Sequence, residues 1–176
     1  NVTGSAFNDT LTASATGSTL DGGAGNDILN GAAGIDTLIG GVGADTINGG
    51  TGIDTVSYTA SATAITVNLA VTTAQVGGDA AGDILSNIEN LTGSAFADTL
   101  TGNSSNNIIT GGAGADKIDG AAGIDTASYS DSTAAVNVNI AVTTAQSGGY
   151  AAGDTLFNIE NIIGSAFNDT LAGNAA

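Results

Sequence analysis

The sequence predicts an all-β fold: a right-handed parallel β-roll (a β-solenoid) with two short-stranded parallel sheets. Three observations carry this. A pattern recurs every nine residues. Nearly every unit opens on glycine. Each unit closes on a short stretch with one large aliphatic residue at its centre. Glycine permits the left-handed conformations of a tight turn, and a short stretch with one inward side chain is a strand. A helix is excluded, because period nine with glycine in every unit contradicts a 3.6-residue repeat.

The elements follow in order. Residues 1–57 form a first repeat block. From Gly4 it reads GSAFNDTLT, ASATGSTLD, GGAGNDILN, GAAGIDTLI, GGVGADTIN and GGTGIDTVS without a slip. Asn1-Val2-Thr3 matches the end of a preceding unit. Residues 58–83 are an insert, in which Ala64–Val71 alternates apolar and polar residues like a half-buried strand and GGDAAGD reads as a loop. Residues 84–128 form a second block: a degenerate unit ILSNIENLT, then GSAFADTLT, GNSSNNIIT, GGAGADKID and GAAGIDTAS. Residues 129–154 are a second copy of the insert, with Ala135–Val142 and GGYAAGD in equivalent places. Residues 155–176 begin a third block. Tyr58–Thr92 and Tyr129–Ile163 agree at 22 of 35 positions, so insert and block recur together. One nonapeptide turns the chain once and a second returns it, so a pair of units makes a coil and all segments are expected to form one continuous solenoid. The expected inward side chains are Leu11, Leu20, Leu29, Leu38, Ile47, Val56, Leu91, Leu100, Ile109, Ile118, Ala127, Ile162 and Leu171. The chain is expected to be a slice of a longer polypeptide.

Composition narrows the chemistry. The 176 residues include 17 acidic side chains, one basic side chain and no histidine, for a formal charge of −16; Cys, Met, Pro and Trp are absent. Without His or Cys there is no imidazole-based triad and no ordinary zinc, copper, haem or iron–sulfur site. The chain is therefore not expected to be an enzyme. With Lys117 as the only basic side chain, no row of phosphates can be neutralised, which excludes nucleic acid and disfavours anionic membranes. No run of 18 apolar residues exists, so membrane insertion is not expected. Oxygen ligands remain. Carboxylates and backbone carbonyls suit hard cations, Ca²⁺ above all.

The best units read G-G-x-G-x-D-x-U-x, where U is a large aliphatic. Four such units follow in frame between Gly22 and Ser57. The sequence resembles the RTX family of hemolysin-type calcium-binding nonapeptide repeats. The insert ending AAGDxLxNIEN, followed by GSAFxDTLxG, is similar to segments that separate repeat blocks in large secreted bacterial adhesin-like or surface proteins.

Ca²⁺ takes six to eight oxygens at roughly 2.3–2.6 Å, more than one turn supplies. Turns on one side recur with every second nonapeptide, so the metal candidates pair as Asp27 with Asp45 and Asp36 with Asp54. Asp9 with Asp27, and Asp98 with Asp116, keep both carboxylates, although Phe7 and Phe96 replace a turn glycine. Ser18 opposite Asp36, and Asn107 opposite Asp125, lose one carboxylate; Glu89 opposite Asn107 is more degenerate. The resemblance assigns carbonyl ligands to the glycine-rich turns, here Gly23, Gly25, Gly41 and Gly43 on one side and Gly31, Gly34, Gly50 and Gly52 on the other. It also implies several bound Ca²⁺ ions, export unfolded through type I secretion, and folding at extracellular calcium.

Other residues have simpler readings. Asp21, Asp79, Asp119 and Asp131 lie outside the ligand position and are expected in solvent. Glu89 and Glu160, one per repeat, suit a structural or weak ligand role better than a glycosidase pair. Phe7, Phe96 and Phe167 are expected to plug turns, Tyr58 and Tyr129 to cover a sheet, and Lys117 to lie on the surface. The favoured function is a rigid calcium-stabilised stalk, surface-layer or filament segment of a large secreted protein, at the cell surface or outside the cell. The alternative is a calcium-dependent export and folding module of a secreted protease, lipase or toxin. A ladder of outward threonines (Thr37, Thr46, Thr55) raises ice or sugar binding, with Ile28 interrupting it. Expected partners are neighbouring repeats of the same parent chain, or copies associating head to tail.

Overall fold

Each regular nonapeptide contributes a turn and a strand centred on its large aliphatic, while the degenerate units 84–92 and 155–163 carry a strand at each end. The computed structural model describes residues 1–174. Thr10–Thr12, Ile28–Asn30 and Thr46–Asn48 pair in parallel, with Leu11, Leu29 and Ile47 in register. Thr19–Ala24, Thr37–Val42 and Thr55–Ser57 pair likewise in a second sheet, with Leu20, Leu38 and Val56 in register. Partners lie two nonapeptides apart, as the repeat requires. The second sheet continues through both inserts as eight strands, from Val2–Ser5 to Asn161–Ile163. A row of aliphatic side chains fills the space between the sheets. Burying each contributes about 1.5–3 kcal/mol. The expected inward set is buried with two exceptions: Ile162 is partly buried and Leu171 is 44% exposed.

The inserts use their strands out of sequence order. Ile84–Ser86 extends the first sheet by pairing with Thr46–Asn48. Thr66–Asn68 comes earlier in the chain, yet it starts the next sheet by pairing with Thr99–Thr101. Val76 lies antiparallel to Thr66 and bonds it in both directions. On the eight-stranded sheet one strand, Asn90–Thr92, spans the same interval by pairing with Thr55–Ser57 and with Ile108–Thr110. Each crossing thus sets two strands on one face against one on the other. The second insert repeats the arrangement with Thr155–Phe157 and Asn137–Asn139.

Several expectations about the inserts are corrected. Within Ala64–Val71 only Thr66–Asn68 is strand. GGDAAGD and GGYAAGD carry short 3-10 turns at Gly78–Ala80 and Gly149–Ala151, which bury Ala80 and Ala151. Tyr58 and Tyr129, expected to cover a sheet, are fully buried in the core. Tyr58 Oη donates to Asp83 Oδ2 at 2.9 Å, and Tyr129 Oη to Asp154 Oδ2 at 3.0 Å. The other oxygen of each aspartate accepts the backbone N–H of Asp45 or Asp116, at 2.8 Å in both cases. The tyrosine therefore satisfies a fully buried carboxylate and fastens the insert to the repeat block. Thr37 and Thr55 lie in the eight-stranded sheet and Thr46 in the other, so the three do not form one ladder.

The Tyr58→Phe variant leaves Asp83 Oδ2 buried without a donor. It should lose about 1–3 kcal/mol of stability in saturating calcium, read as a lower urea midpoint, with Tyr150→Phe, a half-buried residue, as control.

Candidate calcium sites

The turns stack along the two edges of the roll, and the residue at position six of each unit faces the turn before it. The N–H of Asp27 donates to Asp45 Oδ1 at 2.7 Å and that of Asp36 to Asp54 Oδ1 at 2.8 Å. The same bond links Asp9 to Asp27, Ser18 to Asp36, Asp98 to Asp116 and Asn107 to Asp125. Where a run of repeat turns ends, carboxylates of the insert and of the degenerate unit after it take over. Asp83 and Asp154 accept from Asp45 and Asp116; Glu89 and Glu160 accept from Asp54 and Asp125. Glu89 and Glu160 are thus structural acceptors in equivalent places.

The second carboxylate oxygen divides the turns into two kinds. Asp27, Asp36, Asp45, Asp54, Asp116 and Asp125 are at most 1% exposed, and the Oδ2 of each has no hydrogen-bond partner among the described residues. In these six turns positions two and four both have positive φ: Gly23 and Gly25, Ala32 and Gly34, Gly41 and Gly43, Gly50 and Gly52, Gly112 and Gly114, Ala121 and Gly123. We call these turns open. A side chain at Gly41 or Gly43 would strike the carbonyl oxygen of Gly23 or Gly25 in the preceding turn. Backbone oxygens therefore line the space between stacked turns.

The remaining turns are closed. Position two is Ser or Asn with ordinary φ, and its N–H donates to the side chain at position six. Ser5 donates to Asp9 at 2.6 Å, Ser14 to Ser18 at 3.3 Å, Ser94 to Asp98 at 2.6 Å, Asn103 to Asn107 at 2.8 Å and Ser165 to Asp169 at 2.7 Å. The hydroxyls of Ser5, Ser94 and Ser165 add a second bond to the same carboxylates. Asp9 and Asp98 thus differ from the paired-ligand expectation, because their second oxygens already have donors. Phe7, Phe96 and Phe167 plug nothing: they are 78%, 44% and 53% exposed.

An ionised carboxylate oxygen buried without a partner is costly, and a proton or a cation must offset it. One basic side chain cannot serve six such groups, and Lys117 lies over the Phe157 ring at 5.6 Å. Burial pushes Asp116 up to about 8, with the Asp154, Asp98 and Asp131 charges adding to the rise. Burial and then neighbouring carboxylates also raise Asp45, Asp54 and Asp125. Burial raises Asp83 to about 7 and Asp154 to about 6, against the lowering effect of the tyrosine bonds. A divalent cation with all-oxygen coordination fits this donor set: an unpaired buried carboxylate oxygen, a stack of carbonyls, and no nitrogen or sulfur ligand.

A parallel β-roll with oxygen-lined turns at its edges is the class that fold and site define. The profile of RTX calcium-binding nonapeptide repeats matches four times, at residues 3–38, 21–56, 92–127 and 158–176. These matches cover more than half of the sequence, and the chain belongs to that family. Its repeats bind Ca²⁺ in several turns. Comparison with curated proteins returns no match.

Sequence reasoning missed Asp83 and Asp154, which the AAGD signature of both inserts could have flagged. It also missed Ala32 and Ala121, whose left-handed backbone does the work of glycine.

Replacing Asp45 by Asn should raise the calcium midpoint about tenfold or more, about 1.4 kcal/mol, while Asp119→Asn should barely move it. Asp119 is half-buried, and its Oδ1 accepts from Asn158 and Ala121. Isothermal titration of both variants checks this. Protons should compete with the cation. Carboxyls raised in the folded state stabilise it fully below the unfolded value of 3.8, and that contribution is lost as pH rises through about 6 to 8. In EDTA the chain should therefore hold more β structure at pH 5 than at pH 8, by far-UV circular dichroism. Calcium should restore it at pH 8.

Proposed function

We propose that this chain is an extracellular structural module, a calcium-stiffened stalk or surface-layer segment of a large type I-secreted bacterial protein. The observation that carries this reading is the eight-stranded sheet, which passes through both inserts without a break. Such a sheet is a spacer of defined length, and the cation-dependent turns along its edges make stiffness conditional on calcium. Asp27 with Asp45, and Asp36 with Asp54, would each hold an ion, joined by carbonyls of the turns that contain Gly23, Gly25, Gly41 and Gly43, or Gly31, Gly34, Gly50 and Gly52. Asp116 and Asp125 each offer one further open carboxylate. At low cytosolic calcium, repulsion among these charges would keep the chain extended for export. Outside the cell, calcium would fold it.

The outermost coils expose Val2 and Leu171, at 41% and 44%, where the inner counterparts Leu20 and Val138 are sealed. A neighbouring coil, from the same parent chain or from a second copy, would cover them.

The test uses dyes on cysteines introduced at Thr3 and Asn161, both exposed and on the outermost strands of the long sheet. Eight strands at about 4.8 Å spacing put these strands about 34 Å apart. In millimolar calcium, single-molecule energy transfer should give one narrow distribution near that distance, and in EDTA a broad one. A broad distribution in calcium would count against a stalk, and an unchanged distribution in EDTA against calcium control.

A further inference from the structure

We propose that the closed turns take no calcium, and that residues two and four of each nonapeptide together decide whether a turn binds an ion. The proposal rests on the calcium reading above and adds where each column of ions starts and stops.

The correspondence holds for every turn of the regular units, the degenerate units 84–92 and 155–163 aside. The six buried carboxylates with an unpaired oxygen are the six whose position-two residue, Gly or Ala, has positive φ. Where position two is Ser or Asn, its N–H reaches the side chain at position six. The physical reason is the direction of one peptide group. With ordinary φ the N–H at position two points into the turn and occupies the oxygen a cation would take. With positive φ it turns away. Serine adds its hydroxyl, so a neutral donor pair replaces the ion at Asp9, Asp98 and Asp169. Ser18 and Asn107 go further, with no carboxylate at all.

The order of turns along each edge gives this a consequence. In the first block the closed turn at 4–9 is followed by open turns at 22–27 and 40–45, and then by Asp83 with its tyrosine. On the other edge the closed turn at 13–18 leads to open turns at 31–36 and 49–54, and then to Glu89. The second block repeats the rule with one open turn per edge: 93–98, 111–116 and Asp154, then 102–107, 120–125 and Glu160. Every column of open turns begins on a self-satisfied turn and ends on a carboxylate of the insert (Asp83, Asp154) or of the degenerate unit after it (Glu89, Glu160). The number of ions is therefore set by the number of G-G/A-x-G-x-D units between GSAF and the next insert. The closed turns keep one block's ions from coupling to the next block's.

The test exploits two turns that differ at two positions. Turn 93–98 reads GSAFAD and turn 111–116 reads GGAGAD. The double variant Ser94→Gly/Phe96→Gly makes them identical, removes the Ser94 hydroxyl and lets residue 94 adopt the positive φ that turns its N–H away. After saturation with Ca²⁺ and gel filtration, bound calcium per chain is measured by atomic emission, with circular dichroism to confirm the fold. The variant should carry an additional ion relative to the unmodified chain. An equal count in folded protein overturns the proposal. Ser5→Gly/Phe7→Gly makes the same change in turn 4–9 and serves if the first variant does not fold; the same gain is expected, and an equal count overturns the proposal. An unmodified chain that binds no calcium would instead overturn the functional reading on which the proposal rests.

Discussion

The structure depends on a divided carboxylate. At each open turn one aspartate oxygen accepts a backbone N–H from the turn before it, and the other is buried with nothing to bond. The first half of that arrangement is structural. It ties coil to coil at both edges and holds neighbouring strands in register. The second half leaves a cost on the order of the several kcal/mol that a desolvated ion carries. The molecule repeats this six times in a chain with one basic side chain. A fold built this way is complete only when something positive arrives, and the aliphatic row between two narrow sheets is too thin to make the difference small. Protons can supply the charge in acid and calcium at neutral pH, so ion binding and folding are one equilibrium.

The glycines follow from the same constraint. Position one is glycine where position six is aspartate, because a β-carbon there would press on the carboxylate; at Gly49 it would lie 2.8 Å from Asp54 Oδ2. The unit at 13–21 has Ala13 there, opposite the shorter Ser18. Positions two and four vary together, and their variation separates turns that leave a carboxylate oxygen open from turns that do not. The inserts use the same carboxylate ladder with a different second partner. Asp83 and Asp154 take a tyrosine hydroxyl where the repeats leave an oxygen open.

Much of this was legible in the sequence. The nine-residue period fixed strand centres such as Leu29 and Ile109 and their partners two units along, because one aliphatic per unit leaves no choice of register. The pairing of Asp27 with Asp45 and Asp36 with Asp54 came from the same arithmetic. The inserts were harder. Thr66–Asn68 and Ile84–Ser86 swap their order along the stack, and no local pattern encodes that; it depends on Tyr58 reaching Asp83 across the full length of the insert. Asp9 and Asp98 read in the sequence like the other ligand-position carboxylates, because a carboxylate there looks the same whether its second oxygen is free or held. The deciding group is a backbone N–H at Ser5 or Ser94, whose direction a sequence shows only once the link between serine and φ is known. The aromatic residues at 7, 96 and 167 suggested packing by type, yet a turn that stacks on its neighbours through backbone alone leaves them outside.

The most direct test is anomalous diffraction from crystals grown in calcium. The account predicts peaks within roughly 2.3–2.6 Å of the second carboxylate oxygens of Asp27, Asp36, Asp45 and Asp54, with no peak at Asp9, Asp98 or Asp169. Well-ordered turns in which those four oxygens remain without an ion, or peaks at the serine-bonded aspartates, would contradict it.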